Sequence, residues 1–262
     1  SEITAEQIAE IEELVARAQA AAKIIETYDQ ARVDHLCQAV CAAVYPLKVW
    51  GNLCDEAVDE TRLGDKVTKR NKRNKLKLIL RDCLRQPSVG IIEENKEKGL
   101  VRYGKPVGVI GTLVPTTNPC LTPAGQIIYA IKARDVLICS PHPRAKNVTS
   151  KCIDIRREAL VKEGAPADII QGIKNPSIAM SQELMKRVNL VIATGGRPMV
   201  KAAYSSGTPA FGSGAGNATE VIDETANTPE RIAEVAQNCR ISKCSDFGSG
   251  CSCDGNIICH AS

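Results

Sequence analysis

Near its end the chain places two cysteines one residue apart, in the glycine-rich stretch Ser245 to Asn256, SDFGSGCSCDGN. Three chemistries compete for Cys251 and Cys253. As metal ligands they would draw on Cys244, Cys259 and His260. The spacing gives neither a C-x2-C knuckle nor a paired second knuckle, however, so no metal site is expected. As a disulfide the pair would close a very small, strained ring, which a reducing compartment also opposes. As a nucleophile, a single thiolate in such a loop suits acyl chemistry. Glycines let the backbone approach a substrate and leave an N–H free to face a developing oxyanion. The residues alone keep the nucleophile reading open without deciding it.

Three other stretches lie where ligands bind in open parallel sheets, beyond the carboxyl ends of strands. They are PTTNP (115–119), SPHPRAK (140–146) and TGGRPM (194–199). Each leads into a helical pattern whose free N–H groups and dipole favour a phosphate or another anion, a set that suits a nucleotide-like ligand. A fourth stretch, GSGAGN (212–217), looks like G-x-G-x-x-G, but Asn217 stands at the third glycine and no convincing helix follows. No P-loop sequence occurs, and the glycines by themselves do not specify a dinucleotide.

The elements that would position these loops follow from periodicity. Thr4 to Gln7 fits a capping box, and Ile8, Ile11, Leu14, Val15, Ala18, Ala22 and Ile25 recur at helical spacing. A second helix is predicted from Asp29, with Val33, Cys37, Val40 and Val44 on its buried stripe. The leading helix could serve as a docking or encapsulation tag, but core packing accounts for its stripe. From residue 88 the texture changes. SVGIIEE and GLVRYG read as strands around the turn NKEKG. The apolar runs PVGVIGTLVP, DVLICSP, DIIQGI and NLVIATGG follow, separated by helical patterns over 122–133, 145–163 and 177–187; TPAFGSG and TEVIDE come last. Uniformly apolar strands alternating with helices predict an α/β protein, a Rossmann-like parallel sheet with helices on both faces. The expected organisation is a nucleotide-binding domain with an N-terminal helical segment over 1–240. A composition change near 240 marks the start of a second unit, 241–262.

Composition narrows the classes. Aromatics make up only 3% of the 262 residues and the net charge is +4, so neither base stacking nor a polyanion partner is indicated. Residues 66–77, KVTKRNKRNKLK, hold seven Lys or Arg. The apolar run that follows favours a solvated face of an amphipathic helix over a nucleic-acid patch. No apolar run is long enough to span a bilayer, and the acidic, amphipathic start is unlike a signal or transit peptide. The cytosol is therefore the expected compartment, with reduced cysteines. Cys37, Cys41, Cys83, Cys139 and Cys152 fall on apolar stripes as small buried hydrophobes.

Taken in order, KPVGVIGTLVPTTNPCLTP, SPHPRAKNVTS, EGAPADIIQGI, VNLVIATGGRPMVKAAYSSGTPAFGSGAGN and SDFGSGCSCDGN resemble the CoA-acylating branch of the aldehyde dehydrogenase superfamily. That branch includes acetaldehyde and sulfoacetaldehyde dehydrogenases and the aldehyde module of bifunctional aldehyde–alcohol dehydrogenases. The resemblance runs from about residue 88 onward and more loosely before it. It implies that Cys251 is the nucleophile, attacking an aldehyde to give a thiohemiacetal and then, after hydride loss, a thioester. It implies that the Asn118 amide and the Cys251 backbone N–H form the oxyanion hole. Pro115, Thr116 and Thr117, with Thr194, Gly195, Gly196 and Gly214, match cofactor-binding positions, and Ser140 and His142 match the loop beside the adenosine. The implied cofactor is NAD or NADP, with coenzyme A as co-substrate.

Hydrolytic members of the superfamily carry a glutamate general base in a Glu-Leu-Gly-Gly motif, and the corresponding GSGAGN has no carboxylate. A thioester without a base to activate water can wait for the CoA thiol, whose thiolate forms far more readily than hydroxide. The resemblance further implies a homo-oligomer, with no nucleic acid or membrane partner, in the cytosol or a bacterial microcompartment. Two departures stand out. The family's catalytic domain continues past its nucleophile, whereas this chain ends at Ser262, so a fragment is expected; its alternative role is a nucleotide-binding or scaffolding piece without turnover. Cys253, Cys259 and His260 match no family motif, and Cys120 is an oxidation partner for Cys251 if the two approach.

Overall fold

The computed structural model describes residues 2–260. Five helices come first: α1 (Ala5–Ile25), α2 (Gln30–Val44), α3 (Leu47–Thr61), α4 (Lys66–Asn71) and α5 (Arg73–Leu84). The capping box forms as its residues require, with Gln7 N donating to Thr4 Oγ1 at 3.2 Å and Thr4 N to Gln7 Oε1 at 3.1 Å. Asp29 caps α2 by accepting from Arg32 N at 2.8 Å. The third helix buries Trp50, Leu53, Cys54 and Ala57 at helical spacing.

Strands β1 (Gly90–Asn95) and β2 (Leu100–Gly104) form an antiparallel hairpin. The chain then alternates: β3 (Val109–Val114), α6 (Leu121–Ala133), β4 (Val136–Pro141), α7 (Lys146–Lys162), β5 (Ile170–Gly172), α8 (Ile178–Arg187), β6 (Leu190–Thr194), α9 (Arg197–Tyr204) and β7 (Ala210–Ser213). The five strands β3 to β7 lie parallel in the order β5-β4-β3-β6-β7. Every residue of β3 and β4 is buried, which is why their runs are apolar throughout rather than alternating. Helices α6 and α7 cover one face, backed by α2, α3 and α5, while α1, α8 and α9 cover the other. Growth of the sheet reverses at β3: β4 and β5 lie to one side, β6 and β7 to the other. The reversal opens a crevice beyond the carboxyl ends of β3 and β6.

A second, two-stranded sheet follows. Strand β8 (Ala218–Ile222) pairs in parallel with β9 (Asp254–Cys259), and α10 (Pro229–Cys244) connects them. This unit draws on both sides of residue 240, and residues 261–262 of the expected 241–262 unit lie outside the described residues. GSGAGN opens no helix and instead bridges β7 and β8. The five cysteines expected in apolar stripes are all buried.

Candidate active site

The residues between β3 and α6 are set by a strand that cannot shift. With β3 fully buried between β4 and β6, its carboxyl end delivers Pro115, Thr116, Thr117 and Asn118 half-buried at the crevice. Backbone order resumes where Thr122 N donates to Asn118 O at 3.1 Å, opening α6.

Cys251 comes to the same place from the other unit, in the turn between α10 and β9. Its thiol is exposed and, with Asn118, lines a cleft of about 290 Å³ bordered by Leu121, Gln126, Tyr129, Lys72 and Asp246. Among the described residues, no protein acceptor takes the Cys251 backbone N–H. Cys253 lines the same cleft, but it is half-buried and its thiol is engaged: its Sγ donates to Ser245 O at 3.6 Å within the loop. Both cysteines are free, and among the described residues no group of three or more His, Cys, Asp or Glu gathers as a metal ion would need.

Two glycines shape this loop. A Cβ on Gly216 would lie 1.8 Å from Cys251 O, so GSGAGN presses bare backbone against the thiol-bearing turn. By contrast, a Cβ on Gly214 would meet nothing within 4 Å. Gly64, at φ +72°, makes room for a carboxylate: its Cβ would lie 1.8 Å from Asp246 Oδ1.

Asp246 is 1% exposed and anchors the loop from within. Its Oδ2 accepts from Lys69 Nζ at 2.9 Å and Lys72 Nζ at 2.6 Å, and its Oδ1 from Asp65 N at 3.0 Å. Burial pushes its pKa up, but the hydrogen bonds and charges of Lys72 and Lys69 outweigh this and hold it below the usual carboxylate range. Asp246 and Phe247 both sit in the left-handed region, at φ 54° and 52°, a conformation that non-glycine residues adopt at a cost. Lys69 also donates to Thr117 O at 2.9 Å, and Lys72 to Asn118 Oδ1 at 2.7 Å. The basic run is thus not simply a solvated face, because Lys69 is buried and Lys72 half-buried at the crevice. No sequence signal marks them, since their partner Asp246 lies more than 170 residues away.

The remaining candidates sit on the same edge of the sheet. Thr194 ends β6, and Gly195 N donates to Ser213 O at 3.0 Å. Cβ atoms on Gly195 or Gly196 would make only ordinary contacts with the chain, so the backbone there is uncrowded. His142 follows β4, accepting at Nδ1 from Arg144 N at 3.1 Å; burial and Arg144 lower its pKa. Ser140 is buried and its hydroxyl is engaged with Ser181 Oγ at 2.8 Å. Cys120 does not line the cleft beside Cys251; it lies buried beside Cys152, with its Sγ 3.7 Å from Leu53 O.

A doubly wound parallel sheet, with an exposed thiol and an amide meeting beyond its switch point, defines an α/β protein of nucleotide-binding architecture with a cysteine at the mouth of its crevice. Residues 73–262 match the aldehyde dehydrogenase family, and the chain belongs to that family. It is 44% identical over 251 residues to a sulfoacetaldehyde dehydrogenase of Acholeplasma sp, covering 95% of this chain and 51% of the relative. An acetylating aldehyde dehydrogenase from Geobacillus thermoglucosidasius superposes with a TM-score of 0.88 at 33% identity, over 98% of this chain and 56% of that one. A Rhodopseudomonas palustris propionaldehyde dehydrogenase, solved with bound propionyl-CoA, superposes with a TM-score of 0.82 at 27% identity, over 96% and 55% respectively. The chain spans about half the length of these relatives. Among the described residues, no helix is long and apolar enough to cross a membrane.

Proposed function

We propose that this chain supplies the nucleotide-binding part and the nucleophile of a CoA-acylating aldehyde dehydrogenase, which converts an aldehyde, CoA and NAD(P)⁺ to acyl-CoA, NAD(P)H and a proton. The observation that carries the reading is the exposed Cys251 thiol in one cleft with the Asn118 amide, beside a backbone N–H that has no protein acceptor among the described residues. The Cys251 thiolate adds to the aldehyde carbon, and the carbonyl oxygen becomes an oxyanion that the Asn118 NH₂ and the Cys251 N–H stabilise. The open backbone at Gly195 and Gly196, with Pro115 to Thr117, Thr194, Gly214, Ser140 and His142, suits a dinucleotide along the carboxyl edge. When bound there, NAD(P)⁺ accepts the hydride. The resulting Cys251 thioester then passes its acyl group to the CoA thiol, and the Cys251 thiolate leaves. No carboxylate lies in GSGAGN to activate water in competition. A homo-oligomer in the cytosol or a microcompartment, and a catalytic unit built around β8, α10 and β9, belong to the same reading.

The full-length protein should form NAD(P)H from a short aldehyde only when CoA is present, and Cys251→Ala should abolish it. Full activity in that variant would reject the nucleophile. Tight NAD⁺ binding by calorimetry without turnover on any aldehyde would favour the second reading, a nucleotide-binding or scaffolding piece. The small buried share of the second unit speaks for that reading.

A further inference from the structure

Lys72 stands at the break between α4 and α5, its side chain 13% exposed, and its ammonium faces two groups of the cleft. One is Asn118 Oδ1 at 2.7 Å; the other is Asp246 Oδ2 at 2.6 Å. An ammonium has only protons to offer. The Asn118 amide must therefore turn its oxygen to Lys72, which sends its NH₂ to the opposite side. Among the described residues no protein acceptor takes that NH₂. Asp246 lies five residues before Cys251, so the same ammonium also fastens the amide to the thiol-bearing loop. The neighbouring Lys69 differs in one respect: it holds Asp246 and the backbone oxygen of Thr117, and does not touch the Asn118 side chain. Two ammoniums against one carboxylate leave a net positive charge behind the amide oxygen, which polarises its N–H bonds toward a stronger donor.

We propose that Lys72 is a positioning residue for the oxyanion amide, fixing which end of Asn118 faces the cleft and tying that amide to the loop that carries Cys251. This rests on the acylating aldehyde dehydrogenase reading, in which Asn118 receives the oxyanion. Lys72 touches no reacting atom; its effect passes through Asn118.

The test is a double-mutant cycle in the full-length protein, with aldehyde, CoA and NAD⁺ as substrates. Losing an oxyanion donor outright costs about a hundredfold to a thousandfold in kcat, so Lys72→Met, which only releases the donor, should cost about tenfold to a hundredfold. KM for the aldehyde should move little. In an Asn118→Ala background the same substitution should cost less than about threefold, because the group it acts through is gone. Lys72→Arg, which keeps the charge, should recover much of kcat. A Lys72→Met variant with wild-type kcat, or an equal penalty in both backgrounds, overturns the proposal. Should Lys72→Met fail to fold, Lys72→Gln, which also removes the charge, and Asn118→Ala carry the same cycle.

If the wild-type protein turns over no aldehyde, the functional reading fails and the positioning claim is judged separately. The Asn118 carboxamide NH₂ resonances, observed by ¹⁵N NMR, should then shift on Lys72→Met and stay close to wild type on Lys69→Met. No shift on Lys72→Met sinks the claim.

Discussion

Arg156 is wholly buried, and its Nη1 donates to Cys152 Sγ at 2.8 Å; among the described residues it makes no ion pair with a carboxylate. A guanidinium taken out of water needs an anion, and the Cys152 thiolate is the group in place to be one. The hydrogen bond with Cys120, against the penalty of burial and with Arg156 beside it, holds Cys152 below the usual thiol range. A depressed folded-state pKa contributes stability that is full above the unfolded value. That contribution fades as the pH falls below the ordinary thiol value of 9.0 toward the lowered one. Urea unfolding should therefore show stability rising with pH across that interval, and Cys152→Ala should flatten the rise. The variant should also lose about 3–5 kcal/mol, since it strands a buried charge, and Arg156→Met added to it should restore most of that. An unchanged pH profile in Cys152→Ala would show that the thiol is neutral. Sequence alone marks Cys152 as a small buried hydrophobe, which is right about its place and silent about its charge. Cys251 is the converse case: its spacing from Cys253 suggested a pair, and the structure distinguishes them by exposure, with the Cys251 thiol open and the Cys253 thiol engaged by Ser245 O.

Between the loops and the sheet, legibility follows the strength of the periodic signal. Strands β3 and β4 read directly because burial on both faces demands unbroken apolar runs, β5 and β6 from the apolar runs that contain them, and α6, α7 and α8 because each buries one stripe. Helix α10 escapes that reading, since Cys239 is the one residue it buries and no stripe exists to find. The stripe of α3 is present in the sequence as Trp50, Leu53, Cys54 and Ala57. What no periodicity encodes is the contact of GSGAGN with the cysteine turn, because a glycine's missing side chain is meaningful only once its neighbour is known. That contact makes a sharp prediction. Gly216→Ala puts a methyl carbon where it meets Cys251 O, so the turn must move and the thiol with it. Displacements of about 1 Å at reacting groups cost about a hundredfold, so under the proposed function aldehyde oxidation by the full-length protein should fall by that order while circular dichroism stays unchanged. Gly214→Ala, with open space around its new methyl, is the control and should fold like the wild type. Wild-type activity in Gly216→Ala would mean that GSGAGN does not set the turn.

Across the chain, burial is unevenly shared. The apolar core gathers residues from Ile11 to Ala203, and beyond Ala203 the one buried hydrophobic residue among the described residues is Cys239, while Val221, Ile232, Ile257 and Ile258 stand exposed. The unit of β8, α10 and β9 thus has little core of its own, and local stability tracks buried apolar contact. Its firmest attachment near the cleft is electrostatic: Asp246 held by Lys69, Lys72 and Asp65 N, with left-handed backbone at Asp246 and Phe247 kept in place by those bonds. Native-state hydrogen exchange should find the amides of β3 and β4 at least about a hundredfold more protected than those of β8 and β9. Asp246→Asn should raise exchange over 245–259 further and leave β3 unchanged. Acid should reproduce the effect. With its folded pKa held below the unfolded value of 3.8, Asp246 contributes fully above that value, and the contribution is lost as the pH falls through the lower folded one. Loosening of 245–259 should then precede unfolding of the parallel sheet as the pH drops. Simultaneous loss of both would mean that the two units share one cooperative core, and that the lysine–aspartate clamp is incidental to how Cys251 is held over the sheet.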